Sequence, residues 1–193
     1  MEATLSKRAV QSLWMMWEGA FDWITTFRSA SIKQYGICKL VVRRHHGRTL
    51  TCYDGHQIRS GDWVGELHLD NRKVMELTRE YGADLAGLSI ARAFRAAIKQ
   101  IRLELNDNPE MGQIQAFMGI TLLHRGIAHG IGFENHPIKV KWQRLWYGCY
   151  LRLLLRVMHP EGKRRIRQNR EQLSPVLMMI STPALKARGR LSR

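Results

Sequence analysis

The chain has 193 residues, of which 45% are hydrophobic and 24% are charged. This length is typical of one domain and is enough to bury roughly 70% of the surface that the unfolded chain exposes. The apolar content excludes a disordered acidic protein and a low-complexity protein. The sequence therefore predicts one globular domain that needs neither disulfides nor a metal to hold its core.

The net charge of +15 is concentrated towards the C terminus. Residues 1–138 carry 17 basic and 14 acidic side chains, whereas residues 139–193 carry 14 basic and 2 acidic ones. Such a cationic segment favours an anionic partner, and phospholipid, a phosphate-bearing carrier and nucleic acid all fit that description. The charge alone does not choose among them.

The cysteines and the N-terminal residues favour a cytoplasmic location. The three cysteines show no CxxC spacing, which is typical of a reducing compartment and favours neither a disulfide framework nor a zinc knuckle. Lys7 and Arg8 precede apolar residues as in a signal peptide, but only residues 13–17 are uninterrupted, which is too short. No run approaches the roughly 18 apolar residues of a membrane-spanning helix. The sequence predicts a cytoplasmic protein, either soluble or peripheral on the inner membrane face.

The first predicted element is an amphipathic helix over residues 8–28. Its apolar side chains, three tryptophans among them, recur at spacings of three and four. This stripe favours packing on the core. The alternative is an interfacial membrane anchor, which Glu18 and Asp22 on the polar face disfavour because anionic lipid would repel them.

Short strands are predicted next, between Tyr35 and Asp70. Segments over residues 37–44, 48–53 and 63–69 are β-branched or alternate in polarity, and turn residues such as Asp54-Gly55 separate them. Together they predict a small antiparallel meander.

Two helices follow the strands. Asp70 and Asn71 predict the cap of a helix that ends near Tyr81, where Gly82 stops it. Residues 85–105 then hold apolar side chains every three or four positions, opposite a basic face.

The remaining elements complete an α+β domain. A buried strand is predicted over residues 114–123, followed by a short helix ending at Gly130 or Gly132, a strand over residues 133–138 and a last strand over residues 176–180. A basic helix over residues 140–158 carries the apolar stripe Trp142, Leu145, Trp146, Cys149, Leu153 and Val157. Its aromatic side chains are interpreted as core packing. The prediction is a single α+β domain over residues 1–193, with its core over residues 35–138 and a basic helix and tail over residues 139–193.

One candidate site lies at the end of the third predicted strand. Glu66 and His68 are two residues apart and therefore point to the same face, close to Asn71 at the strand-to-helix corner. Such a row can bind sugar hydroxyls or act as a general base, but it can equally be the solvated side of an edge strand. Together with His124, Glu66 and His68 are the candidate catalytic residues of an alternative function, a small transferase or hydrolase.

A second candidate site is a turn that is either an anion-binding site or a plain strand-to-helix connection with an exposed arginine. Arg125 and Gly126 follow a predicted strand and open a helix, which suits a phosphate or carboxylate. The turn is neither GxGxxG nor a P-loop, and HExxH is absent, so no nucleotide, cofactor or metal is predicted. The other ligand-binding candidates are Arg152 and Arg156 on the basic helix and His159 after it.

Four segments in order resemble the YkoP-like domain family of bacteria. They are residues 61–71 (GDWVGELHLDN), 119–126 (GITLLHRG), 132–134 (GFE) and 159–162 (HPEG). The resemblance covers nearly the whole chain. Because family members occur alone or behind polysaccharide deacetylase domains, it implies work on cell-envelope glycans or their lipid carriers. It carries over no catalytic residues.

Charge and resemblance together predict a non-catalytic accessory or binding domain at the cytoplasmic membrane face. The expected partners are an anionic glycan precursor, a polyprenyl phosphate or a phospholipid surface, with a deacetylase or another envelope enzyme as a protein partner. The candidate contacts are Arg125, Arg152 and Arg156 for phosphate, and Glu66, His68 and Asn71 for polar ligand groups. Nucleic-acid binding is a further alternative, disfavoured because no zinc finger, RNP-like motif or clear helix-turn-helix is present.

Overall fold

A computed structural model describes residues 31–122, 130–158, 164, 167 and 173–188. The elements in chain order are β1 Ser31–Tyr35, β2 Cys38–Arg44, β3 Leu50–Thr51, β4 Gln57–Ile58, β5 Trp63–Leu69, α1 Asn71–Asp107, α2 Pro109–Gly112, β6 Ala116–Thr121, β7 Glu134–Pro137, α3 Lys141–Met158, β8 Val176–Ser181 and α4 Thr182–Ala187. They confirm the α+β class. The helix predicted over residues 8–28 and the short helix predicted before Gly130 lie outside the described residues.

A six-stranded mixed sheet organises these elements, with strand order β1-β2-β5-β6-β8-β7. Every neighbouring pair is antiparallel except β5 and β6, which are parallel. Parallel neighbours need a crossover connection between them, and α1 supplies it because it begins directly after β5 and ends shortly before β6. The predicted strands over residues 114–123, 133–138 and 176–180 are confirmed as β6, β7 and β8.

The two faces of the sheet bury different partners. Residues paired in register share a face, which places Leu40 with Leu67 and Phe117 with Ile180 on the side that packs against α1. We call this side the helix face. The opposite side, the hairpin face, is covered in part by β3 and β4, with Cys52 and Ile58 packed on sheet residues such as Met118.

α1 follows the predicted pattern closely. Asp70 caps it by accepting hydrogen bonds from the backbone N–H groups of Arg72 and Lys73. Gly82 has φ +72° and ψ 172°, a conformation that glycine tolerates, and divides α1 into two helical segments where the sequence predicted a stop. In the second segment the predicted apolar positions Ala91, Phe94, Ile98, Ile101 and Leu105 are buried, whereas Leu85 and Leu88 near its start are about half exposed.

The strand pairing of residues 37–69 differs from the predicted meander. β2 pairs directly with β5, and the predicted middle strand is reduced to β3, which pairs with β4 in a separate two-stranded sheet. The turn predicted at Asp54-Gly55 joins β3 to β4. The carbonyl of Cys52 accepts from the N–H of Gly55 at 3.0 Å, and Gly55 has φ +82°, as in a three-residue hairpin loop closed by a left-handed glycine.

α1 is attached to the edge of the sheet through Glu104. Its carboxylate accepts hydrogen bonds from Lys33 at 2.5 Å and from the hydroxyl of Tyr35, both on β1. These hydrogen bonds lower the pKa of Glu104 despite its partial burial. The strand β1, which was not predicted from the sequence, is thereby tied to the crossover helix.

Candidate functional site

The first group of polar side chains lies on the hairpin face of β5 and β2. Glu66 and His68 share that face as predicted, with Nε2 of His68 3.5 Å from Oε2 of Glu66. The other carboxylate oxygen of Glu66 accepts a hydrogen bond from the guanidinium of Arg43. His124, the third member of the proposed catalytic group, lies outside the described residues.

The partners of Glu66 decide its ionisation. Burial disfavours its charged form, but hydrogen bonds from His68 and Arg43, and the charge of Arg43, outweigh burial and lower the pKa of Glu66 from 4.5 to about 2. A carboxylate with so low a pKa is a weak base and is not protonated at neutral pH, so it suits neither general-base nor general-acid catalysis there. Its geometry suits orienting His68, whose side chain is about half exposed.

Replacing Glu66 with glutamine tests this ion pair through acid stability. A carboxyl group whose pKa is lower in the folded chain than its ordinary 4.5 stabilises the fold above pH 4.5 and loses that contribution as the pH falls towards 2. We expect Glu66→Gln to lower the free energy of unfolding at pH 7 by about 2 kcal/mol and to flatten its decline between these pH values. Urea denaturation at a series of pH values measures both. The exposed Glu76→Gln is the control, and a Glu66→Gln profile parallel to that of the wild type would contradict the assignment.

The second group is the outer surface of α3. We call Trp142, Leu145, Trp146, Cys149 and Leu153 the α3 stripe. Trp142, Leu145 and Trp146 are 69%, 68% and 67% exposed, so the prediction that these aromatic side chains pack in the core is wrong. The helix is attached through its other side, where Gly148 is buried against Pro175. The side chain of Val157 lies outside the described residues.

Cations accompany the α3 stripe. Residues 139–158 contain five basic side chains and no acidic one. Lys139, Lys141, Arg144 and Arg156 are exposed. Arg152 is only partly exposed and donates from Nη2 to the carbonyl of Leu173 at 3.2 Å, so it ties α3 to the segment before β8. Of the two arginines predicted on this helix as phosphate contacts, Arg156 is the one on the surface.

The other predicted site residues are placed as follows. Asn71 is the first residue of α1, beside its Asp70 cap. Arg125, Gly126 and His159 lie outside the described residues. The basic run over residues 163–170 also lies outside them, except for Arg164 and Arg167, both exposed.

A third group, which was not predicted from the sequence, lies between the β3–β4 turn and β7. Cys52, Asp54 and Glu134 hold their sulfur and carboxylate oxygen atoms within 4.8 Å of one another. Burial raises the pKa of the Cys52 thiol to about 12, and the negative charges of Glu134 and Asp54 add to this shift. The pKa of Asp54 is lowered despite some burial, because the Ser181 hydroxyl and the His56 backbone donate to its carboxylate. Glu134 lies about 80 residues from Cys52 and Asp54, so no local motif joined it to them.

The described part of the chain is thus a small α+β domain that carries an exposed amphipathic helix rich in tryptophan and cations. None of its described helices combines the length and the apolarity that crossing a bilayer requires. The family model described as YkoP domain matches residues 7–189, and the chain therefore belongs to the YkoP domain family. Comparison with the curated proteins and with the solved structures gave no match.

Proposed function

We propose that this protein is a non-catalytic binding domain that attaches to an anionic membrane surface through α3. One observation carries the proposal: the apolar side of a basic helix faces outward. Contiguous apolar surface of this kind, set among cations, marks an interaction site in soluble domains. A helix that lies in the headgroup layer of a membrane typically has Trp and Leu on one side and Lys and Arg around them.

The energetics favour anionic lipid over neutral lipid. Each Lys or Arg close to an anionic bilayer contributes about 1 kcal/mol, and this contribution decays over the screening length of the solution. Lys139, Lys141, Arg144 and Arg156 are available for it. No carboxylate lies in residues 139–158 to oppose the attraction.

The proposed ligand class is a phosphate-bearing lipid of the cell envelope. A phospholipid headgroup and a polyprenyl phosphate present the same anionic phosphate above an apolar chain. The implied link of the family to envelope glycans supports a polyprenyl phosphate, or an anionic glycan precursor attached to it, as the ligand. The same link supports an envelope enzyme such as a deacetylase as the protein partner. The proposed location is the cytoplasmic face of the membrane.

Vesicle co-sedimentation of the full chain tests the proposal. We expect binding to vesicles containing phosphatidylglycerol to be at least about tenfold tighter than to phosphatidylcholine vesicles, and to weaken steeply as salt is raised. Adding a polyprenyl phosphate to phosphatidylcholine vesicles separates a specific headgroup from general surface charge. Equal binding to neutral and anionic vesicles, insensitive to salt, would overturn the electrostatic basis. Salt-dependent binding to duplex DNA without vesicle binding would instead favour the nucleic-acid alternative.

The alternative of a small transferase or hydrolase has weaker support. Glu66 is held ionised by Arg43 and His68, which leaves His68 alone as a base among the described members of that group. A catalytic site needs further groups within hydrogen-bond reach of the reacting atom. The geometry of Glu66 and His68 therefore favours a structural or ligand-orienting role.

A further inference from the structure

The cluster of Cys52, Asp54 and Glu134 brings donors of two chemical types together from separate parts of the fold. The hairpin turn presents Cys52 and Asp54, and β7 presents Glu134 on the hairpin face opposite Met179. Their sulfur and oxygen atoms lie within 4.8 Å of one another. A thiol and two carboxylates at such short range are a donor set for a divalent cation that accepts both sulfur and oxygen.

Hydrogen bonds hold the two carboxylates in place. Oε1 of Glu134 accepts from the backbone N–H of Tyr53 at 2.7 Å, and Oε2 accepts from Nε2 of His136 at 2.8 Å. Oδ1 of Asp54 accepts from the backbone N–H of His56 at 3.0 Å, and Oδ2 accepts from the hydroxyl of Ser181. Each of these oxygens has a second lone pair. Carboxylates that bind metals are oriented by outer hydrogen bonds in this way.

The thiol of Cys52 gives a second, independent indication of a ligand. Cys52 is only 3% exposed, and its Sγ lies beside both carboxylates without a hydrogen bond inside the described part of the chain. A buried sulfur without a hydrogen bond, beside two fixed carboxylates, is a donor arrangement that a divalent cation can bind.

We propose that Cys52, Asp54 and Glu134 bind a divalent cation with affinity for thiolate, of which Zn²⁺ fits best. Zn–S and Zn–O bonds of about 2.3 and 2.1 Å in a tetrahedron place the donor atoms about 3.6 Å apart, so a contraction of about 1 Å closes the site. The S–H bond of Cys52 breaks as the S–Zn bond forms, and its proton passes to solvent. An ion bound by residues of the hairpin turn and of β7 would clamp the β3–β4 hairpin to β7.

A purely structural role for the same residues makes a different prediction. Asp54 and Glu134 already attach the hairpin to the sheet through Ser181 and the backbone of Tyr53. If that is their whole role, replacing them lowers the stability of the fold, and no metal binds the wild-type chain. The test must therefore report on metal binding itself.

Cobalt substitution in the full chain provides that report. The purified protein is stripped with a chelator and titrated with Co²⁺, whose bond to a thiolate gives a near-ultraviolet charge-transfer band. We expect about one equivalent of Co²⁺ to produce the band and Zn²⁺ to displace it. Cys52→Ser should abolish the band and Glu134→Gln should weaken Co²⁺ binding at least about tenfold. Cys149→Ser, which removes an exposed thiol, is the matched control and should leave the titration unchanged.

Several outcomes would overturn the site. A wild-type chain that gives no band, or a band that survives in Cys52→Ser, excludes Cys52 as a metal ligand. Should Cys52→Ser fail to fold by circular dichroism, Asp54→Asn decides, because the Asp54 side chain is exposed and its loss disturbs the core least. Unchanged Co²⁺ affinity in Asp54→Asn would then remove the proposal. None of these outcomes depends on whether α3 binds lipid.

Discussion

Replacing both Trp142 and Trp146 with alanine is expected to weaken binding to anionic vesicles about 100-fold while leaving the fold intact. Both side chains are about two-thirds exposed, so they contribute little to the core and much of their surface is available to lipid. Transfer of that surface from water contributes on the order of 1.5 kcal/mol for each ring, and about 3 kcal/mol corresponds to about 100-fold in affinity. Vesicle titration followed by tryptophan fluorescence or sedimentation measures the change.

Two controls separate this effect from general loss of apolar surface or of structure. Leu85 and Leu88 are exposed apolar residues on α1, and the pair Leu85→Ala and Leu88→Ala should bind vesicles like the wild type. Urea denaturation should give the tryptophan variant a free energy of unfolding within about 0.5 kcal/mol of the wild type. A larger loss of stability would show that the rings pack inside the protein, and unchanged vesicle binding would show that α3 is not the contact.

Phe117→Ala should cost the fold about 3–5 kcal/mol, a large share of the stability of a typical domain. Phe117 is fully buried near the start of β6, on the helix face. Its ring lies over Gly65 of β5, where a Cβ atom would stand 2.8 Å from Cδ1 of Phe117. Because the glycine opposite cannot fill the space, truncation leaves a cavity between the sheet and α1.

Chemical denaturation monitored by circular dichroism measures that loss. Phe117→Leu, which keeps most of the apolar volume, is expected to lose less than half as much. Exposed Ile32 on β1 offers a matched surface position, and Ile32→Ala should change stability by less than about 1 kcal/mol. A loss below about 1 kcal/mol for Phe117→Ala would show that the sheet and α1 do not form the main core.

The sequence predicted best the elements that are long and periodic. α1 and α3 repeat their apolar residues over many turns, and β6 and β8 are apolar runs bounded by polar residues, so local pattern is sufficient for them. The Asp70 cap and the Gly82 break were predicted because each depends on one residue type and its own backbone. The short elements β1 and α4 carry too few residues for a pattern to stand out.

Contacts between residues that are far apart in the sequence could not be predicted from the local pattern of apolar and polar residues. A three-and-four spacing describes a helix with one apolar side, but it does not say whether that side faces the core or water, and the α3 stripe faces water. Likewise Cys52 and Asp54 lie about 80 residues from Glu134 in the sequence. They are close in space because β7 pairs with β8 and the β3–β4 hairpin packs on the same face of the sheet. The alternation of Cys52 and Asp54 was the one local signal of that cluster.

The position of β8 has a consequence for how the chain is made. β8 lies between β6 and β7, although both precede it in the sequence. During synthesis β6 therefore keeps an open, apolar edge, and β7 has no strand to pair with, until Val176–Ser181 has left the ribosome. Open edges of this kind invite pairing between nascent chains. We expect the unfinished chain to depend on protection, such as a chaperone, until β8 is inserted between β6 and β7.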